Sequence, residues 1–404
     1  MKTIGKKRID TVRDLIRGSL IGGAVGDALG YPVEFMSMGE IINNFGIKGI
    51  TGFVTDSKGH ALISDDTQMT LFTANGMLMG LTRGYMRGIG GIPENYVEHA
   101  YMDWYLTQVS RETKSYGYSW LSDVPEMFAQ RAPGITCLNA CENLINHEKV
   151  INNSKGCGGI MRVAPMALLL AGYEARGESP YHKERMIEAG AKIASITHKH
   201  PLGFLPAGAL TYLIYKLITA PSGDKKSDIV KYATEAANTV LKMYEREYHR
   251  DAKYLSELTH KAINLSINDR TDIENISELG RGNVAEETWA IALYCAIRHA
   301  DNPEAAIIAS VNHDGDSDST GAVCGNIMGA IYGYRYLSSL HIFCPSGKTL
   351  EQTLELSDII LTMADDLTSG CVISEYDPIN TPEKKRWYER YCLMKAAGVY
   401  RSDK

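Results

Sequence analysis

Positive charge is outnumbered in this sequence. Lys and Arg number 42 against 48 Asp and Glu, a formal net charge of −6, which leaves no electrostatic footprint for nucleic acid or an acidic membrane. A long apolar run is also missing. The longest, Val163–Gly172, is too short to span a bilayer and contains Pro165. Met1–Asp14 is basic and lacks the apolar core of a signal peptide. None of the 8 cysteines forms a CxxC pair, and no histidine stands at zinc-finger spacing from them. Such scattered thiols predict structural cysteines in a reducing, cytoplasmic setting. There is no repeat at a solenoid period, and alternating strand patterns are nearly absent, Gly49–Thr55 being the one short candidate. What is present is ordinary globular composition, 44% hydrophobic and 22% charged over 404 residues, enough for a large core.

Apolar residues at three- and four-residue spacing predict helices over Asp10–Leu29, Thr67–Leu81, Glu94–Val109, Arg162–Gly172, Lys183–Ile196, Phe204–Ile218, Asp228–Tyr248, Ala285–His299, Asn302–Val311 and Gly321–Tyr334. The charged stretch Ser222–Gly282 reads as a peripheral helical elaboration. Two helices are unusual in the same way: Gly18, Gly22, Gly26 and Gly30 recur every fourth residue, as do Gly321, Gly325, Gly329 and Gly333. On a helix that spacing lines the glycines along one face. Each interior glycine costs about 0.5–1 kcal/mol relative to alanine, so close helix–helix approach has to compensate. Both stripes therefore predict central helices of one core that joins the two ends of the chain, a single domain over 1–404.

Two acidic groups stand at the heads of predicted helices. Ser64-Asp65-Asp66-Thr67 precedes the first, where one residue can cap the helix and a second acid favours the positive end of its dipole. His313-Asp314-Gly315-Asp316-Ser317-Asp318-Ser319-Thr320 precedes the second glycine helix. Three alternating carboxylates repel one another unless a cation intervenes, and oxygen-only donors suit magnesium, manganese or calcium. An EF-hand is excluded, because its sixth position would be Ser319 rather than glycine and its twelfth Gly325 rather than glutamate. A metal-dependent phosphoesterase would require histidines among the acids, and only His313 is close. If the two helices pack together, at least four carboxylates meet. Paired metals placed there can hold hydroxyls, polarise an oxygen and activate water.

Four blocks resemble the ADP-ribosylhydrolase (ADP-ribosylglycohydrolase) family, which includes the dinitrogenase-reductase-activating glycohydrolase. They are Gly18–Glu34, Ser64–Met69, Gly156–Pro165 and Asp314–Gly333, with a weaker block at Val284–His299, in the family's order along nearly the whole chain. The resemblance implies an all-α fold with a binuclear Mg²⁺ centre (Mn²⁺ a possible substitute) in a central cleft. Its ligands would be Ser64, Asp65, Asp66, Asp316, Asp318 and Ser319, with serine standing where the family usually has threonine at positions 64 and 319. Asp314, in place of the usual glycine, becomes an additional acid behind the ligands, and Asp27 a support for them. Glu34 matches the family's mobile glutamate, so Glu34, Asp66 and Asp316 are the candidate catalytic residues.

Gly156, Cys157, Gly158 and Gly159 would bring backbone N–H groups to the ligand's phosphates, with Arg162 as a phosphate contact or an internal ion pair. Cys157 stands where many relatives have asparagine, and Ala132 where some have an acid. Thr197-His198-x-His200-Pro201 also echoes the family and reads as capping and packing. The implied reaction is hydrolysis of α-linked ADP-ribose from a modified protein side chain or small molecule. The alternative from another class is a catalytically silent ADP-ribose- or metal-binding protein, or a toxin-immunity interaction protein.

Overall fold

The two glycine stripes meet. A computed structural model describes residues 2–88, 93–110, 115–340, 343–345, 347–376 and 378–392, with side chains from Arg8 onward except that of Pro93. The first helix, Lys2–Gly30, packs along the helix Ser317–Tyr332. A methyl group on Gly18 would fall 2.5 Å from the Gly329 carbonyl oxygen. Those on Gly22, Gly26 and Gly30 would collide with the carbonyls of Gly325, Gly321 and Ser317. The backbones touch, and dispersion between them offsets the entropy that glycine loses. Ser19 Oγ donates to the Asn326 carbonyl at 2.9 Å, and Asn326 Nδ2 donates back to the Ser19 carbonyl at 2.8 Å.

Eighteen α-helices and no sheet occur among the described residues, so the fold is all-α. The Gly49–Thr55 stretch forms no strand: Thr55 makes only an isolated bridge to Ala61. Boundaries shift where local chemistry dictates. The helix expected from Arg162 begins at Ala164, with Pro165 in its first turn, where a missing N–H costs nothing. Glu94 lies in a 3₁₀ turn, Pro93–Tyr96, ahead of the helix Val97–Val109. Gly333, at φ 76°, stops the Ser317 helix short of Tyr334. Short or weakly periodic helices at Met38–Phe45, Ile135–Ile145, Ser357–Ser369 and Pro382–Tyr391 escaped the sequence pattern.

Pro201–Thr219 is long and apolar enough to cross a membrane, yet 83% of its apolar window is buried inside the protein. The 222–282 stretch holds the helices Lys225–Met243, His249–Leu265 and Asp272–Leu279. The first two pack on Pro201–Thr219 and on Ala285–Arg298, where Trp289 Nε1 donates to Thr259 Oγ1 at 2.9 Å.

Candidate active site

The carboxylate pocket is assembled from helix ends. Asp27, fully buried near the end of Lys2–Gly30, accepts from the Ser64 N–H at 3.0 and 3.1 Å, the Thr67 N–H at 3.1 Å and the Thr67 hydroxyl. It thereby satisfies free donors at the head of the helix Asp65–Arg87, on the positive end of its dipole. Burial pushes the Asp27 carboxyl up to about 6, against hydrogen bonds that favour its charge. Ser64 caps the same helix, its hydroxyl accepting from the Asp66 N–H at 3.2 Å. Asp65 is fixed from the loop beside it: its N–H donates to the Arg131 carbonyl at 3.0 Å, and its Oδ2 accepts from the Gly134 N–H at 3.3 Å.

Asp316 caps the second glycine helix, accepting from the Ser319 N–H at 3.3 Å. Its own N–H donates to the Arg281 carbonyl at 2.8 Å, so the end of the 222–282 stretch braces the site. Asp318 Oδ1 also accepts from the Ser319 N–H, at 2.9 Å. Glu34 follows the 3₁₀ turn Tyr31–Val33 at the end of the first helix.

Glu34, Asp65, Asp66, Asp316 and Asp318 line one cavity of about 250 Å³, with Ser319, Met161, Gly156, Cys157, Gly158 and His198, and with no lysine or arginine lining it among the described residues. Burial and then the neighbouring carboxylates push Glu34 up to about 8. Asp66 and Asp318 are driven well above the usual range by burial and by neighbouring carboxylates, Asp65 chiefly by burial. Asp66 Oδ2 and Glu34 Oε2 are buried with no hydrogen-bond partner. Among the described residues, no three His, Cys, Asp or Glu side chains already stand in a cation-holding arrangement. The acids share the cavity without converging on one point.

Several sequence-predicted residues sit elsewhere than their motifs implied. Arg162 does not line the cavity and has no acidic partner among the described residues. It is wholly buried beneath the wall, donating to Thr197 Oγ1 at 2.5 Å and to Cys137 Sγ at 3.3 Å, with its guanidinium over the Tyr101 ring. Gly159 packs below the cavity, where a Cβ would come 2.6 Å from the Gly203 carbonyl oxygen. Ser64 lies just beneath the lining.

Asp314 does not back the cluster. Its Oδ1 accepts from the Met38 N–H at 2.6 Å and ties down the segment that follows Glu34. Cys157 takes the asparagine position with its thiol donating to Asp316 Oδ2 at 2.9 Å. The two histidines of the 197–201 motif divide: His200 caps the helix Pro201–Thr219 by accepting from the Leu202 N–H at 3.0 Å, while His198 lines the cavity. One brace had no sequence signal. Glu355 accepts from the Ile63 N–H at 3.1 Å and from Arg131 at 2.9 Å, holding both loops that carry Asp65.

An all-α scaffold with five carboxylates gathered at helix ends defines a class of helical proteins built around an acidic cavity. The model of the family described as ADP-ribosylglycohydrolase matches residues 8–372, and the chain belongs to that family. Curated relatives include the ADP-ribosyl-[dinitrogen reductase] glycohydrolase of Rhodospirillum rubrum, 25% identical over 334 residues, covering 80% of this chain and 87% of that one. ADP-ribosylhydrolase ARH1 of Dictyostelium discoideum is 25% identical over 377 residues, covering 80% and 88%. Human ADP-ribosylhydrolase ARH3 is 26% identical over 217 residues, 48% of this chain and 55% of that one. A solved structure titled "ADP-ribosylglycohydrolase-related protein complex" shares the fold, at a TM-score of 0.56 and 20% identity over 90% of this chain and all of that one.

Proposed function

We propose that this chain is an ADP-ribosylhydrolase that cleaves α-linked ADP-ribose from a modified protein side chain or small molecule with the help of divalent cations. The observation that carries the reading is the cluster of five carboxylates lining one cavity, with no lysine or arginine side chain lining it among the described residues. The orphaned Asp66 Oδ2 and Glu34 Oε2 fit the need for hard oxygen donors. Asp65, Asp66, Asp316, Asp318 and Ser319, with Ser64 just beneath, would hold Mg²⁺ (Mn²⁺ as a substitute), two ions being the number that best balances the charge. When bound, the metal supplies positive charge that fixes vicinal hydroxyls and stabilises developing negative charge.

The chain's own residues provide the rest. Asp27 holds the head of the Asp65 helix, and the Arg281 carbonyl holds Asp316. The Gly156–Gly158 loop offers a surface without side-chain bulk, apart from Cys157, where phosphates can approach the backbone. Glu34 would move the proton: the anomeric carbon loses its bond to the leaving atom and gains one to water oxygen, and the water's proton passes to the leaving group. The identity of the leaving group, arginine, serine or another acceptor, belongs to the loops around the cavity.

The test is release of free ADP-ribose from ADP-ribosylated arginine and serine peptides, with Mg²⁺ and then with EDTA. Mg²⁺-dependent release from either supports the reading and names the linkage. Binding of ADP-ribose with no release from either substrate would favour the silent binding protein.

A further inference from the structure

Behind the cavity lies a buried cation that no carboxylate among the described residues balances. Arg162 is wholly buried, its Nε has no hydrogen-bond partner, and the rest of its guanidinium is spent on Thr197 Oγ1, Cys137 Sγ, Met69 Sδ and the Tyr101 ring. Burying an arginine on such weak partners is costly, and its strongest partner, Thr197, leads directly to a cavity residue. Thr197 Oγ1 is 2.8 Å from His198 Nδ1, and His198 lines the acidic cavity.

The direction of these bonds follows from donor chemistry. A guanidinium can only donate, so Thr197 Oγ1 accepts from Arg162. The hydroxyl then has one proton to give. Two acceptors are in reach, His198 Nδ1 and Cys137 Sγ. An imidazole nitrogen is a far better acceptor than a thiol sulfur, and the Cys137 sulfur already receives Arg162 Nη1. The proton therefore goes to Nδ1, which places the ring hydrogen on Nε2. Nε2 is the nitrogen beside the glycine loop: a Cβ built on Gly156 would lie 3.2 Å from it. Burial, and then the charge of Arg162, push the imidazole down to about 3, so it does not add a second proton at neutral pH.

We infer that Arg162 and Thr197 are positioning residues. Through the chain Arg162 to Thr197 to His198 they fix the imidazole with its hydrogen on Nε2, where it donates into the cavity to an acceptor oxygen of the ADP-ribosyl group. The ligand named here rests on the proposed function, whereas the tautomer does not. The relay also explains the buried arginine: its charge orients one hydroxyl and keeps one histidine a donor.

The experiment is NMR of the ¹⁵N-histidine-labelled full-length protein, with calorimetric titration of free ADP-ribose. Wild type shows the Nε2–H tautomer at His198. Thr197→Ser keeps it, and Thr197→Val and Arg162→Met lose it or mix the tautomers. Affinity for ADP-ribose falls about five- to tenfold in Thr197→Val and His198→Ala, the scale of one hydrogen bond. His198→Gln, whose amide N–H reaches the Nε2 position, recovers most of it. An Nδ1–H tautomer in wild type overturns the inference, as does a Thr197→Val protein with unchanged tautomer and affinity. Should Thr197→Val not fold, the wild-type spectrum and the His198 pair decide. Wild type that binds no ADP-ribose defeats the proposed function, and the tautomer spectrum still judges the relay.

Discussion

Ala132 holds φ at 53° on the rim of the cavity, a left-handed conformation that a residue with a Cβ adopts at a cost. Replacing it with glycine should stabilise the fold by about 1 kcal/mol, measured by denaturant unfolding; no gain would mean that the turn relaxes in solution. Asp316 is a different case. It accepts only one long backbone bond within its own helix head and a thiol proton, so it contributes little to folding beyond the cap. Asp316→Ala is expected to lose turnover by at least about a hundredfold while unfolding within about 2 kcal/mol of wild type. Near-normal activity in that variant would dismiss the site. The acids were legible in the sequence because they stand in two short, dense motifs. Arg131 and Glu355 were not, because each is a single residue in a loop, distant in sequence, with no period or spacing to mark it.

The two glycine-striped helices carry the geometry of the site. Asp27 comes from the end of one and Asp316 and Asp318 from the head of the other, so the distance between the backbones sets the distance between the acids. Gly26→Ala puts a methyl group into the Gly321 carbonyl and the Ala322 backbone nitrogen, neither of which is a flexible side-chain end. The expected cost is about 3 kcal/mol or more, read as a lower melting temperature together with lost activity. A stable, active Gly26→Ala would mean that the helices can part without consequence. The stripes themselves were readable because glycine every fourth residue makes sense only on a helix that touches something. Short helices such as Met38–Phe45 lay below that threshold: one or two turns provide too few periodic positions to outweigh the surrounding loop signals.

At the scale of the whole molecule, the cavity concentrates carboxyl groups from residues that the fold buries, Asp65, Asp66, Asp316 and Asp318. Asp65, Asp66 and Asp318 are all raised above their usual range, Asp27 to about 6 and Glu34 to about 8. Raised carboxyls bind protons more tightly in the folded than in the unfolded chain, so the metal-free protein is expected to lose stability as pH rises from the ordinary carboxylate range, about 4, through about 8. Excess Mg²⁺ should flatten that decline and raise the melting temperature, since a ligand that binds only the folded state stabilises it. A pH-independent melt, unaffected by Mg²⁺, would show that the charges are balanced by some other means.

The claim beneath all of this is that the buried acids form a cation site, and counting bound ions tests it most directly. Mn²⁺ titrated into the metal-free protein and followed by electron paramagnetic resonance should saturate at two ions per chain in wild type and fall below two in Asp66→Asn. Wild type that retains no Mn²⁺ would contradict the account.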